Sequence, residues 1–173
     1  HMKKYIFLIF VVFFYFIFAL KINASIISGS GTQFSSLTSG TTNVSVNVAA
    51  GQNSILFVSV GTENGSVSTI TYNGASLTKL WDQADGCNCG TENSSAWILI
   101  NPSTGSNTLS ITWSGSTVVG FAQPFYGVAQ GGTVGTTWRT PVFGNDGGSG
   151  SGTASVVVAN ALAGDIVIDV MTS

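Results

Sequence analysis

"TNVSVNV", residues 42–48, sets Val44, Val46 and Val48 on one side of an extended chain and Asn43, Ser45 and Asn47 on the other. Apolar residues at every second position mark a strand with one face in a core and one in water. "NTLSITWS" (107–114) repeats the pattern, with Leu109, Ile111 and Trp113 alternating with Ser110 and Thr112. The runs "SILFVSVG" (54–61), "SAWILI" (95–100), "VVGFA" (118–122), "SVVVA" (155–159) and "DIVIDV" (165–170) are β-branched and aromatic. They are too short for buried helices and read as further strands. Turn chemistry separates them: Asn-Gly at 64–65 and 73–74, "NPSTGSN" at 101–107 and "GNDGGSGSG" at 144–152. About ten strands at intervals of roughly 8 to 12 residues predict an all-β, antiparallel, jelly-roll-like β-sandwich.

Composition agrees. The chain has 173 residues, 44% of them hydrophobic and 11% aromatic, enough for one domain with a sizeable core. Only 7% are charged, against roughly 25% in ordinary soluble domains. Glycine, serine, threonine and asparagine take their place, a mixture suited to strands and tight turns.

The N-terminal 24 residues stand apart. Lys3 and Lys4 precede an uncharged apolar run from Tyr5 to Leu20, followed by Lys21, Ile22, Asn23 and Ala24. That is the layout of a signal peptide with cleavage after Ala24, and the run is shorter than the roughly 20 residues of a membrane span. His1, ahead of Met2, is set aside as a scar. Residues 25–173 are expected to form a single sandwich domain, truncated at its C-terminus because the sequence stops just after an apolar strand. "VSVNVAAGQNSILFVSVGT" (44–62) and "ASVVVANALAGDIVIDVMTS" (154–173) echo each other as similar hairpins within that one sandwich.

After cleavage, Lys79 and Arg139 face Glu63, Asp82, Asp85, Glu92, Asp146, Asp165 and Asp169, a net charge of −5. Two cations cannot neutralise a phosphate backbone or an anionic bilayer, so nucleic acid and membrane are excluded as partners of the cleaved chain.

"ITYNGASLTKL" (70–80), "SAWILINPSTGSNTLSITWSGS" (95–116), "VVGFAQPFYGVAQ" (118–130) and "SVVVANALAGDIVIDV" (155–170) follow one another in an order that resembles a group of secreted bacterial β-sandwich modules of large surface and extracellular proteins. In those modules a strand ending in an Asn-Gly turn leads to "L-T", then to a hairpin of the form W/Y-x-L-x-N-P-x-x-G-x-N-T-x-x-I/V, an F-x-G-V strand and a final A-G-D-I/L-V hairpin. The likeness spans roughly residues 40–171. It implies an extracellular structural or binding module and carries over no catalytic residue.

Catalysis fails by elimination. The sequence after Ala24 has no histidine, which removes Ser-His-Asp and Cys-His arrangements and the commonest metal ligand. A Ser-Lys pair would have to use Lys79, which reads as an outward strand lysine. Asp165 and Asp169 share a face of "DIVIDV" about 13 Å apart, too far for a glycosidase pair.

Three local features remain as candidate sites. Asp82, Asp85 and Glu92, with Asn88, Asn93 and backbone carbonyls, supply oxygen ligands of the kind calcium takes, although an acidic solvated loop is the plainer reading. Trp81 and Trp138 are the tryptophans expected at the surface and hence candidate sugar platforms, while Trp97 and Trp113 share faces with core residues. Cys87 and Cys89 are the only cysteines; in an oxidising compartment each is the other's only intramolecular partner, and a loop-tip disulfide closing a small, strained ring is expected between them. The sequence therefore leads to a non-catalytic extracellular structural or adhesion module of a secreted or cell-surface bacterial protein, with polysaccharide or neighbouring protein modules as partners. The alternatives are a carbohydrate-binding module attached to a larger enzyme and a calcium-dependent ligand-binding sandwich.

Overall fold

The computed structural model describes residues 25–84, 92–131, 137–139, 161 and 165–168. Ten strands make up the described part: β1 (Ile27–Ser28), β2 (Thr32–Ser36), β3 (Gly40–Val48), β4 (Ile55–Glu63), β5 (Val67–Tyr72), β6 (Ala75–Ser76), β7 (Thr78–Ala84), β8 (Glu92–Ile100), β9 (Gly105–Trp113) and β10 (Thr117–Tyr126). They form two antiparallel sheets. Sheet I has the order β1-β10-β4-β8-β7, with β2 also on β10, and sheet II the order β3-β9-β5-β6. The chain crosses repeatedly between the sheets, and each sheet interleaves early strands with late ones. That is the double Greek key of a jelly roll, as the strand pattern predicts.

The topology corrects one expectation. "VSVNVAAGQNSILFVSVGT" and "WILINPSTGSNTLSITW" read as hairpins, yet β3 and β4 lie in different sheets, as do β8 and β9. The reason is burial. Each of these strands has an apolar face, and facing strands across a sandwich bury both such faces against each other, which a hairpin in one sheet does not. Asn73-Gly74 does join neighbours of one sheet, β5 and β6, and its φ values of 48° and 79° suit a two-residue hairpin turn; β7 and β8 are likewise consecutive neighbours in sheet I.

Between the sheets lies the main core. β3 contributes Val46 and Val48, β4 Leu56, Val58 and Val60, β5 Val67, Ile70 and Tyr72, β8 Trp97, β9 Leu109, Ile111 and Trp113, and β10 Val118 and Ala122. Both core indoles are satisfied, Trp97 Nε1 by Ser95 Oγ and Trp113 Nε1 by Thr42 Oγ1, each at 2.9 Å. Phe34 on β2 lies directly across from Gly120 on β10, and a Cβ at Gly120 would stand 2.2 Å from the Phe34 ring. The glycine thus lets an aromatic ring from the edge close over the sheet.

A second, smaller cluster lies on the other face of sheet I. Ile55, Phe57, Ala96, Ile98, Phe125 and Val128 form it, with Ile26, Leu80, Trp81, Ile100, Trp138 and Ile168 packed against them. Sheet I is thus covered on both faces over part of its area, and β4 is buried on both sides from Ile55 to Val58. This explains why "ILFV" is a continuous apolar run rather than an alternating one. Asp165–Ile168, expected as part of a strand, is irregular. Ile168 rests on a face whose strands already have hydrogen-bonded neighbours, so no ladder is open to this segment there. An ion pair from Arg139 Nε to Asp165 Oδ2, 2.9 Å, links it to the residues around Trp138. The remaining residues of "DIVIDV", the expected strand "SVVVA" and the N-terminal 24 residues lie outside the described part.

Tyr72 ties sheet II together at one end. It is fully buried, its hydroxyl lies 3.2 Å from the Val46 carbonyl and 3.1 Å from that of Gly105, and it accepts from Asn107 Nδ2 at 3.2 Å. Removing the hydroxyl takes a donor from the Val46 carbonyl, whereas Asn107 Nδ2 keeps the carbonyls of Thr104 and Gly105. Tyr72→Phe is expected to cost about 1–2 kcal/mol, read as a lower urea midpoint with an unchanged slope.

Candidate functional site

The described residues carry their charge on one sheet. Glu63, Lys79, Asp82 and Glu92 sit on strands of sheet I, Arg139 and Asp165 on the segment packed beside it, and the strands of sheet II have none. The uncovered part of sheet I's outer face is an open trough. Gln33 and Ser35 from β2, Thr117, Val119 and Phe121 from β10, Ser59, Gly61 and Glu63 from β4, and Glu92 from β8 line it. The small residues Ser59 and Gly61 form its floor, which is why a depression exists there at all.

Glu63 and Glu92 stand directly opposite each other in the β4–β8 ladder. Like charges in that position repel, so they need local support. Glu63 has it: Ser116 Oγ lies 3.1 Å and Thr117 Oγ1 3.2 Å from its Oε2, and Ser116 N donates to its carbonyl at 2.9 Å. The result is an acceptor patch beside the apolar side chains of Val119 and Phe121. It suits hydroxyl groups on a polar ligand. It does not resemble a general acid, which requires a carboxyl shielded from water, whereas Glu63 is exposed. No signal local to either glutamate could have paired them, because 29 positions separate Glu63 from Glu92 and only the sandwich topology aligns them.

The residues picked from the sequence are placed differently. Trp81 and Trp138, expected at the surface, are partly buried in the second cluster. The Trp138 ring stacks on Phe57, with centroids 5.5 Å apart and planes 14° from parallel. The cause is the apolar outer face of sheet I, which only a tertiary arrangement reveals. Trp97 and Trp113 are core residues, as the alternation predicts.

Lys79 is exposed, as expected of a strand lysine, but its side chain lies along the margin between the sheets. A bulge between Lys79 and Trp81 turns Lys79 and Asp82 to one side, where Nζ lies 2.6 Å from Asp82 Oδ2. The same Nζ sits 4.9 Å from the centre of the Trp97 ring and 3.4 Å from the Val67 carbonyl of sheet II. Lys79 therefore closes one margin of the sandwich, with a cation over an aromatic face and a hydrogen bond from sheet to sheet.

Of the proposed calcium ligands, Asp82 pairs in register with buried Ser95, on the side facing sheet II, whereas Glu92 lies in the trough on the other face. Asp85, with Asn88, lies outside the described residues, as do Cys87 and Cys89. Among the described residues no group of three or more His, Cys, Asp and Glu is arranged to hold a metal ion. With Asp82 committed to Lys79 and turned away from Glu92, millimolar calcium is expected to leave the thermal midpoint unchanged. A rise that Asp82→Asn abolishes would contradict this placement.

No protein-family model matches the chain, and neither the curated proteins nor the solved structures contain a match to it.

Proposed function

We propose that the chain is a non-catalytic structural or adhesive module of a secreted or cell-surface bacterial protein. The observation that carries this reading is the outer face of sheet II. Thr41, Asn43, Ser45 and Asn47 on β3, Ser106, Thr108, Ser110 and Thr112 on β9, and Thr69 and Thr71 on β5 line up as cross-strand neighbours. Rows of hydroxyls and amides recur about 4.8 Å apart between strands and about 6.7 Å apart along them. Such a face stays wetted without charge and offers short-range, salt-insensitive hydrogen bonds to another extended surface. The low charge of the whole sequence, its signal-like N-terminus and its resemblance to extracellular sandwich modules support the same reading.

The trough on sheet I favours a second reading, a carbohydrate-binding module, through Glu63, Glu92 and Gln33 beside Phe121. Carboxylates and amides that accept from sugar hydroxyls, next to an apolar face for the ring, are the usual elements of such a site.

One preparation tests both. The chain, expressed with its N-terminal segment in a bacterial host, is expected outside the cytoplasm with Ser25 as its first residue by intact mass. It is expected to show no retention on an array of neutral and acidic glycans. Retention that Phe121→Ala removes would replace the scaffold reading with the carbohydrate one, and a cytoplasmic, uncleaved product would contradict the extracellular assignment.

A further inference from the structure

A sheet edge presents unpaired N–H and C=O groups, and soluble proteins guard such edges with charges, bulges, proline or very short strands. Among the described strands, three of the four edges are guarded. β7 carries Lys79, Asp82 and a register shift between Lys79 and Trp81. The outer side of β10, which contains Pro124, is covered by two pieces, β1 and β2, with Gly29–Gly31 between them. On the far side of sheet II the edge is the two-residue β6 beside β5, which has a register shift between Val67 and Thr69.

β3 has none of these devices. Its nine residues pair one to one with β9 without a shift, contain no charge and no proline, and among the described residues have no strand on their other side. The middle of the strand is also its own mirror: Asn43, Val44, Ser45, Val46 and Asn47 read the same in both directions.

We infer that β3 is a self-recognition edge, pairing antiparallel with β3 of a second copy about a two-fold axis through Ser45. In that register Ser45 faces the partner's Ser45, Asn43 faces the partner's Asn47 and Val44 faces the partner's Val46. Over these five positions like meets like on both faces, and every contact recurs about the axis, as in an isologous interface. Half-buried Val44 would gain an apolar neighbour on the core side, and the amides of Asn43 and Asn47 would meet on the solvent side. Two-residue slips in either direction keep the faces correct but set Asn against Ser, so only the register centred on Ser45 pairs all five residues of the palindrome with their like. The product is a continuous eight-stranded sheet built from two copies of the four-stranded sheet II. Its uncharged face is twice as wide as that of one copy. This interface does not depend on the extracellular assignment.

The register gives a sharp test. Directly opposed residues in an antiparallel pair have Cβ atoms about 4.5–5.5 Å apart, within reach of a disulfide after small adjustment. In the full chain with Cys87 and Cys89 replaced by serine, Ser45→Cys is expected to give a covalent dimer on mild oxidation. Asn43→Cys, whose copies lie about 13 Å apart in this register, is expected to stay monomeric on a non-reducing gel. The unsubstituted chain is expected to sediment as a dimer at about 0.1 mM, where even an interface of the small size class is populated. Ser45→Lys, which opposes two cations at the axis, abolishes the dimer, whereas Thr112→Lys on the central strand β9 retains it. Circular dichroism shows whether both lysine variants keep the sheet. A monomer at that concentration, equal cross-linking by the two cysteine variants, or an intact dimer in folded Ser45→Lys would overturn the inference. So would a monomer that binds a synthetic peptide of residues 40–48, because the edge would then accept a donated strand rather than a second copy.

Discussion

The burial of β4 on both faces is the constraint around which the rest is arranged. Leu56, Val58 and Val60 point between the sheets, and Ile55 and Phe57 point the other way, under Phe125, Ile98 and the ring of Trp138. A strand apolar on both sides has no stable place at an edge or on a surface. It must sit inside a sheet, with ladders on both margins, and that sheet must be covered twice. β10 and β8 provide the ladders, each in nine consecutive pairs. Sheet II provides one cover, and the segments bearing Val128, Trp138 and Ile168 provide the other. Each side chain of Leu, Ile or Phe so buried contributes about 1.5–3 kcal/mol relative to exposure, which makes β4 the densest source of stability in the fold.

Much of this architecture is legible in the sequence, and the part that is not has a common cause. The alternation in β3 and β9 gives strand, face and core residues together, because period two is a local property. Trp97 and Trp113 fall correctly into the core for the same reason. The Asn73-Gly74 turn is legible because left-handed backbone demands those residue types. Pairing is another matter: β4 bonds to β10, more than fifty positions away, and no residue in either strand names its partner. The hairpin readings of β3–β4 and β8–β9 failed there, since two adjacent strands look the same whether the chain turns within a sheet or crosses between sheets. Trp81 and Trp138 misled for a related reason. A surface residue becomes a packing residue only when an apolar outer face exists to receive it.

The same separation applies to the candidate sites. Asp82 and Glu92 are close in sequence and were grouped as ligands, but strand alternation sends one to each face of sheet I. Glu63 and Glu92 are far apart in sequence and the ladder sets them opposite each other. The fold therefore moves the acidic focus from the loop between β7 and β8 to the trough, while sheet II stays free of charge. A charged sheet with a depression and an uncharged sheet with a flat array and an unguarded edge are two different surfaces. The composition of the second is the one that the sequence as a whole emphasises.

If β4 is the keystone, its amides exchange with solvent only when the whole sandwich unfolds. Native-state hydrogen exchange measures this directly. Residues 55–60 are expected to share the slowest rates in the molecule, with the free energy of global unfolding, while the β7 amides exchange by smaller openings. Exchange of residues 55–60 at the rate of the β7 edge would contradict the two-sided burial of β4 and the architecture built on it.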